Sequence, residues 1–287
     1  MIVFMGTPEF ASLILEDLIS KTNHKVGLVV TQPDKKVGRK QVLTPSSVKK
    51  IALKHGIEVF QPTKMKDEFE YILSKNPSII ITAAYGQILP KYRGGAPIQY
   101  ALFNCDKKTG VTLMEMVYKM DAGDMIAKKE VLITEEDDFL TLSSKLSYVA
   151  SELLLENIDR LLSNSYQSEK QDIKEVTFAY TIKKEEEKLD WYKKAKYILG
   201  HIRGLAPNVG AYTTINDQSI KVYKAQKSDI IFSDLPGEVL IQNKQIFIQT
   251  KDYAIELLQI KPAGKKLMNT KDFLNGQNLI KSKDILS

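Results

Sequence analysis

The first 85 residues alternate short apolar runs with amphipathic stretches, and this alternation limits the fold more than any other feature of the sequence. The runs at 2–5, 26–30 and 78–84 are apolar at successive positions, as in strands that are buried on both faces. Helices are predicted between them, and the helix at 9–20 places Phe10, Leu13, Ile14 and Leu18 on one face, with Thr7 as its cap. The predicted order is strand 2–5, helix 9–20, strand 26–30, helix 44–53, strand 58–60, helix 66–74 and strand 78–84. This order predicts an open Rossmann-like α/β domain with a mostly parallel sheet.

The second half of the chain has a different pattern. A further strand at 111–117 and a helix at 140–162 precede a polar, aperiodic stretch at 163–174 that is typical of a linker. After a helix at 191–203, short strands recur at 211–214, 219–223, 238–241, 245–250 and 254–260. We therefore expect an α/β domain at 1–164, a linker at 165–182 and a small β-barrel at 183–287, for which an oligonucleotide-binding barrel is one candidate.

Composition excludes several classes of protein. The single cysteine, Cys105, cannot form an internal disulfide, and the longest run without a charge, residues 76–90, is too short to span a membrane. The first residues do not resemble a secretory signal, so we expect a cytoplasmic protein, and we expect a monomer. Lys and Arg number 41 against 35 Asp and Glu, an excess that fits a polyanionic partner without requiring one.

In open parallel sheets, ligands bind beyond the carboxyl ends of the strands, so the segments that follow each strand are the candidate site. Gly6 after the first strand stands alone and is not the three-glycine fingerprint of nicotinamide cofactors. Asp121 and Asp124 flank Ala122 and Gly123 after the strand at 111–117, where a carboxylate can accept a proton. An aspartate beside a glycine is also ordinary turn chemistry.

Basic residues cluster in the loop around Gly38, namely Lys35, Lys36, Arg39 and Lys40. This cluster suits a phosphate backbone, although a solvated loop explains it equally well. The three histidines and Cys105 have no neighbours that indicate catalysis, and no metal site is expected.

Several segments match, in order and in wording, those of the methionyl-tRNA formyltransferases, members of the folate-dependent formyltransferase family. They are FMGTPEF at 4–10, VTQPD at 30–34, AAYGQILP at 83–90, KYRGGAPI at 91–98, DAGD at 121–124, TIKKEE at 181–186 and AGKKLM at 263–268. The chain resembles this family over nearly its whole length.

The resemblance implies that 10-formyltetrahydrofolate donates a formyl group to the α-amino group of initiator methionyl-tRNA, in translation initiation. By similarity, Asp121 is the catalytic aspartate. The implied folate-binding residues are Ile88, Leu89, Pro90, Met120, Asp121, Ala122 and Gly123. The implied tRNA-binding residues are Lys35, Lys36, Arg39, Lys40, Arg93, Lys265 and Lys266.

One departure from the family is large. Its members carry a helix and a strand with an Asn-x-His segment just before the position of Lys91, and here Pro90 runs directly into Lys91. About twenty residues are absent, the length of a crossover helix and a strand. If the absence is genuine, a buried strand is lost and its neighbours must pair anew. The need for a continuous buried sheet favours the interpretation that the natural chain carries these residues.

Two other functions stay open beside the enzyme that the resemblance implies. One is a catalytically inactive homologue that binds folate or tRNA. The other is a formyltransferase that acts on a small amine, such as an amino sugar.

Overall fold

The computed structural model describes residues 1–38, 40–84, 86–276 and 279–287, so Arg39 and Tyr85 lie outside the described residues. The chain divides into two compact units. The first comprises Met1–Arg93, Gly110–Val131 and Ser143–Thr177, and the second comprises Gly94–Thr109, Leu132–Leu142 and Phe178–Ser287. Two segments from the first half of the chain thus belong to the second unit, and the contiguous boundaries at 164 and 183 stay a prediction.

A four-stranded parallel sheet forms the centre of the first unit. Its strands are β1 (Ile2–Gly6), β2 (Val26–Val30), β5 (Glu58–Phe60) and β6 (Ile79–Ala83), in the order β5-β2-β1-β6. Every pair in it is parallel. The predicted parallel sheet is confirmed, and Val3, Leu28, Val30 and Ile72 form one of its buried clusters.

Helices α1 (Glu9–Ser20), α2 (Ser47–Lys54) and α3 (Met65–Ser74) connect these strands. Ser46 caps α2, since its side chain accepts the Lys49 N–H at 3.1 Å. The expectation that Thr7 caps α1 is wrong, because Pro8 is the N-cap residue and no side chain caps this helix. The Thr7 hydroxyl instead accepts the N–H of Gln32 at 3.2 Å, across the carboxyl ends of β1 and β2.

Helix α1 attaches to the long helix α5 (Phe139–Leu162) as well as to the sheet. The Ser147 hydroxyl donates to the Phe10 carbonyl and the Ser151 hydroxyl donates to the Asp17 carboxylate, both at 2.7 Å. Leu13 was predicted to lie on the buried face, but Leu15 is buried instead. Burial of a leucine side chain stabilises the fold by about 1.5–3 kcal/mol. The buried face of α1 consists of Phe10, Ala11, Ile14, Leu15, Asp17 and Leu18.

The sheet stops at β6, where the resemblance leads us to expect a further strand. The chain is continuous here, with a turn in which the Lys91 N–H donates to the Ile88 carbonyl at 3.1 Å. Helix α4 (Pro97–Phe103) follows, and then strands β7 (Lys108–Met114) and β8 (Met125–Leu132) form a separate two-stranded sheet. Within the described residues β6 and β7 do not pair, so the expected new pairing between the neighbours of the absent strand is not formed.

The second unit is built on one antiparallel sheet. Strands β9 (Ala211–Ile215), β10 (Gln218–Lys227), β11 (Val239–Gln242), β12 (Gln245–Gln249) and β13 (Ala254–Pro262) lie in the order β11-β12-β13-β10-β9, and β14 (Met268–Asn269) pairs with β13. Register shifts in β10 opposite β13 are typical of the bulges that bend small sheets. The predicted second domain of short strands is confirmed, and the pairs within its sheet are antiparallel.

Helices α4, α6 (Ala195–Leu205) and α7 (Thr270–Gly276) also belong to this unit. The prediction that Trp191 begins a helix is wrong, because α6 begins four residues later. Trp191 is buried in the core of this unit, and its indole N–H donates to the Thr213 hydroxyl at 3.0 Å.

Two further observations concern the described residues only. None of their helices is both long enough and apolar enough to cross a membrane. No three of their His, Cys, Asp and Glu side chains are grouped so that they could hold a metal ion.

Candidate active site

Asp121 lies in the turn that joins β7 to β8. Its backbone φ is +52°, a left-handed conformation that is uncommon for residues other than glycine. The turn closes through a hydrogen bond from the Glu115 N–H to the Asp124 carbonyl at 3.0 Å. Gly123 is required here, because a Cβ atom at this position would overlap the Glu115 carbonyl. The strand pair thus holds Asp121, which is half-buried, in a defined backbone conformation.

The predicted folate segment at Ile88–Pro90 attaches to the same strand. The Leu89 N–H donates to the Thr112 hydroxyl of β7 at 3.0 Å, three residues before Glu115. The structure therefore brings this segment and the Asp121 turn to one end of β7. Leu89 and Pro90 are buried and Ile88 is half-buried, so they pack mainly against protein.

The other predicted folate residues differ in their exposure. Met120 is 71% exposed, and it ends an exposed run that also contains Met116, Val117 and Tyr118. Ala122 is half-buried and Gly123 is buried. A cavity of about 240 Å³ lies beside β8, and none of the predicted folate residues lines it.

Arg93 is buried, which does not fit the predicted contact with tRNA phosphates. Only 6% of its surface is exposed, and Nε and Nη2 of its guanidinium both donate to Gln171 Oε1, at 3.1 and 2.7 Å. The side-chain amide of Gln171 in turn donates to the carbonyls of Asp121 and Gly123, at 2.9 and 2.7 Å. Arg93 is therefore linked to the Asp121 turn through a single side chain.

Exposed lysines surround a small antiparallel pair of strands, β3 (Lys35–Val37) and β4 (Val42–Thr44). Lys35, Lys36 and Lys40 are exposed, as the predicted contact with phosphates requires. The pair is anchored at Asp34, whose carboxylate accepts hydrogen bonds from Lys49 Nζ at 2.8 and 3.0 Å. The Lys49 ammonium, together with the Gln61 amide, holds the pKa of the Asp34 carboxyl below its usual value.

Lys265 and Lys266 are exposed in the second unit, in the turn that follows β13. The Lys265 N–H donates to the Pro262 carbonyl at 3.0 Å. Their exposure makes them available to an anionic partner.

The histidines and the cysteine contact other parts of the protein. His24 and His55 contact the carboxylates of Asp159 and Glu16. The ring of His201 stacks on Phe103 with centroids 4.5 Å apart, and burial lowers its pKa to about 4. Burial raises the pKa of the Cys105 thiol, so this side chain is a weak nucleophile at neutral pH.

Two family models cover most of the chain. The model described as formyl transferase matches residues 1–91 and 88–158, and the model described as formyl transferase, C-terminal domain, matches residues 181–278. The chain belongs to the formyl transferase family. The two pieces of the first match meet at residues 88–91 of this formyl transferase, which is the point where the sequence departs from the family pattern.

Relatives of this formyl transferase extend over nearly its full length. A methionyl-tRNA formyltransferase of Bacillus licheniformis is 44% identical over 302 aligned residues, which cover 97% of this chain and 95% of that protein. A methionyl-tRNA formyltransferase of Bacillus subtilis is 43% identical over 309 residues, covering 99% of this chain and 97% of that protein. Both alignments are longer than the 287 residues of this chain, so the relatives contain residues that it lacks.

Solved structures with the same fold include an N-formyltransferase of Helicobacter canadensis, in complex with folinic acid and dTDP-3-aminofucose. It has a TM-score of 0.66 and 18% identity, and the match covers 89% of this chain and 98% of that one.

Sequence reasoning missed Gln171, which lies in the stretch that reads as a linker. Nothing in its sequence context distinguishes it, because its partners Arg93 and Asp121 are 78 and 50 residues away. The pairing of β3 with β4 was missed as well, since each strand has only three residues and all but Thr44 are exposed.

Proposed function

We propose that this chain transfers the formyl group of 10-formyltetrahydrofolate to the α-amino group of initiator methionyl-tRNA. The identity of 43–44% over nearly the whole length to proteins named methionyl-tRNA formyltransferase carries this proposal. The exposed lysines in both units support an RNA substrate. Proposed with it are a cytoplasmic location and a monomeric state.

The proposed reaction needs modest chemistry from the protein. An α-amino group titrates near pH 8, so a substantial fraction is already a neutral nucleophile. Its nitrogen attacks the formyl carbon, and the carbonyl oxygen becomes the oxyanion of a tetrahedral intermediate. Collapse breaks the bond to N10 of the folate, the amine loses a proton to the Asp121 carboxylate, and N10 gains a proton. The products are formylmethionyl-tRNA and tetrahydrofolate.

Positioning and oxyanion stabilisation supply most of the acceleration in such a reaction. The peptide segment at Ile88–Pro90 and the turn at Met120–Gly123 are the proposed folate contacts, because both attach to the end of β7. Exposed Lys35, Lys36 and Lys40 are the proposed contacts with the tRNA backbone in the first unit, with Arg39 proposed from the sequence alone. Lys265 and Lys266 are proposed in the second.

One observation favours a second candidate function, a homologue that binds folate or tRNA without turnover. The chain has no Asn-x-His segment, and the family match divides at residues 88–91. Loss of a single oxyanion donor typically lowers kcat by about 10²–10³-fold. An acceptor such as an amino sugar is the other alternative, and no described residue favours it over tRNA.

Incubation of the purified chain with initiator methionyl-tRNA and 10-formyltetrahydrofolate tests the proposal. We expect formylmethionyl-tRNA to form, and we expect tRNA binding to weaken as salt rises, because phosphate contacts release counterions. Salt-dependent binding without product would favour the inactive homologue. Tight binding that is indifferent to salt would contradict the proposed RNA contacts.

A further inference from the structure

The buried pair formed by Arg93 and Gln171 lies directly behind the Asp121 turn. Both side chains are more than 90% buried, and the guanidinium reaches Gln171 Oε1 through two N–H groups. A guanidinium in the interior costs free energy unless its donors are satisfied, so this contact needs a reason beyond chance packing. Arg93 is also only two residues after the turn at Ile88–Lys91.

The hydrogen bonds permit only one orientation of the Gln171 amide. Arginine has donors and no acceptor, so it faces the amide oxygen, and backbone carbonyls only accept, so they face the amide nitrogen. The nitrogen donates one hydrogen to the Asp121 carbonyl and the other to the Gly123 carbonyl. Arg93 thereby fixes the amide that holds the backbone on both sides of Ala122.

The Asp121 turn is closed at its base by the hydrogen bond from the Glu115 N–H to the Asp124 carbonyl, and the residues between Glu115 and Asp121 are exposed. The Ala122 N–H reaches the Lys119 carbonyl only at 3.3 Å. Asp121 itself has a positive φ, a conformation that costs about 1–3 kcal/mol unless its surroundings impose it. The Gln171 amide lies on the buried side of this turn, where it can impose that conformation.

We infer that Arg93 and Gln171 are positioning residues that set the backbone of the Asp121 turn. Their consequence for catalysis rests on the proposed function, whereas their consequence for the turn does not. Arg93 then acts through Gln171 and makes no contact with tRNA phosphates.

Hydrogen exchange over residues 115–125 tests the structural part without any need for turnover. Gln171→Leu removes the amide oxygen and the amide nitrogen while keeping a side chain of similar volume. We expect hydrogen exchange in residues 115–125 to become about tenfold faster or more. Gln171→Glu keeps an acceptor for Arg93 but replaces the two donors to Asp121 and Gly123, so we expect a similar loss of protection. Gln167→Leu, at an exposed glutamine four residues away, is the matched control and should not change exchange.

Arg93 variants separate positioning from nucleic-acid binding. We expect Arg93→Lys, which retains one donor to Gln171, to raise exchange less than Arg93→Met does. Arg93→Met combined with Gln171→Leu should exchange no faster than Gln171→Leu alone, because both changes break the same link. Hydrogen exchange in strands β1 and β2 reports whether each variant is folded. If Arg93→Met does not fold, the conservative variants Arg93→Lys and Gln171→Glu still test the inference.

The functional readouts distinguish this inference from the proposed function. If the chain formylates methionyl-tRNA, Gln171→Glu and Arg93→Met should lower kcat about tenfold or more and leave tRNA affinity and its salt dependence unchanged. If the chain has no turnover, the exchange results still decide the structural part. Wild-type exchange in Gln171→Glu, or a shallower salt dependence of tRNA binding in Arg93→Met, would overturn the inference.

Discussion

Asp121 combines an unusual backbone conformation with a proposed role in proton transfer. The φ of Asp121 is +52°. The turn packs so closely against the Glu115 carbonyl that Gly123 has no room for a side chain, and the Gln171 amide donates hydrogen bonds to the Asp121 and Gly123 carbonyls. A carboxylate in such a frame loses little freedom when a substrate binds, and this lowers the barrier to proton transfer.

We predict that Asp121→Asn lowers the rate of formyl transfer by about 10²–10⁴-fold, because an amide cannot accept the amine proton. Affinity for tRNA should stay within about twofold of wild type. Single-turnover formylation and tRNA binding measure the two effects. Asp217→Asn, in the turn between β9 and β10, is the matched control, and near-normal turnover of Asp121→Asn would refute the assignment.

His201 makes the stability of the second unit depend on pH. Burial lowers its folded-state pKa to about 4, whereas an unfolded histidine titrates near 6.5. Below pH 6.5 the unfolded chain therefore binds a proton that the folded chain does not, and stability falls as the pH falls from about 6.5 to 4.

We predict that His201→Phe, which keeps a ring to stack on Phe103, removes this dependence. Between pH 7 and 5 the wild type should lose about 2 kcal/mol more of its unfolding free energy than the variant loses. Urea unfolding at the two pH values measures the difference. The same loss in both proteins would show that His201 is not the titrating group, and His24→Gln should behave as wild type.

At the scale of elements, the sequence predicts the strands that are marked by buried apolar residues. It does not predict hydrogen bonds between polar side chains that are far apart in the chain. Strands β1 and β2 lie within a residue of their predicted positions because most of their apolar residues are buried in the sheet. Helix α6 begins four residues later than predicted, and the buried Trp191 before it donates a hydrogen bond to Thr213, 22 residues away in sequence. The Asp121 turn was predicted as a site, but its partners Gln171 and Arg93 come from distant segments that no local pattern connects.

Within the described residues β6 pairs only with β1, and this leads to a prediction about the absent segment. The test is to insert between Pro90 and Lys91 about twenty residues that form the helix and the strand with the Asn-x-His segment implied by the family resemblance. Formyl transfer should rise by about 10²–10³-fold or more, since the insertion supplies a strand and a potential oxyanion donor. An insertion of equal length made of Gly and Ser is the control, and equal rates for all three chains would show that the segment is dispensable.

On the scale of the whole molecule, lysines in both units are proposed to bind one nucleic acid. Lys35 and Lys36 lie in the first unit, and Lys265 and Lys266 lie in the second. Each contact with a phosphate adds close to one to the slope of log affinity against log salt.

We predict that replacing either lysine pair with alanine lowers the affinity for tRNA and the slope of log affinity against log salt. The losses from the two pairs should add. Arg39→Ala should likewise weaken binding and leave the rate with bound tRNA unchanged. Filter binding between 50 and 200 mM salt, conditions in which such slopes are resolved, measures both quantities. Lys50→Ala, an exposed lysine on α2, is the control, and an unchanged slope in either double variant would remove that pair from the proposed contacts.

The end of the parallel sheet at β6 also affects how this chain behaves when concentrated. Ile79–Ala83 carries three consecutive isoleucines and no charge, and within the described residues it pairs only with β1. Backbone groups along such an edge are a template on which strands of other molecules can stack. Solutions of this chain should therefore scatter more light as their concentration and age increase. The variant Thr82→Lys, at an exposed position of this strand, should keep them clear.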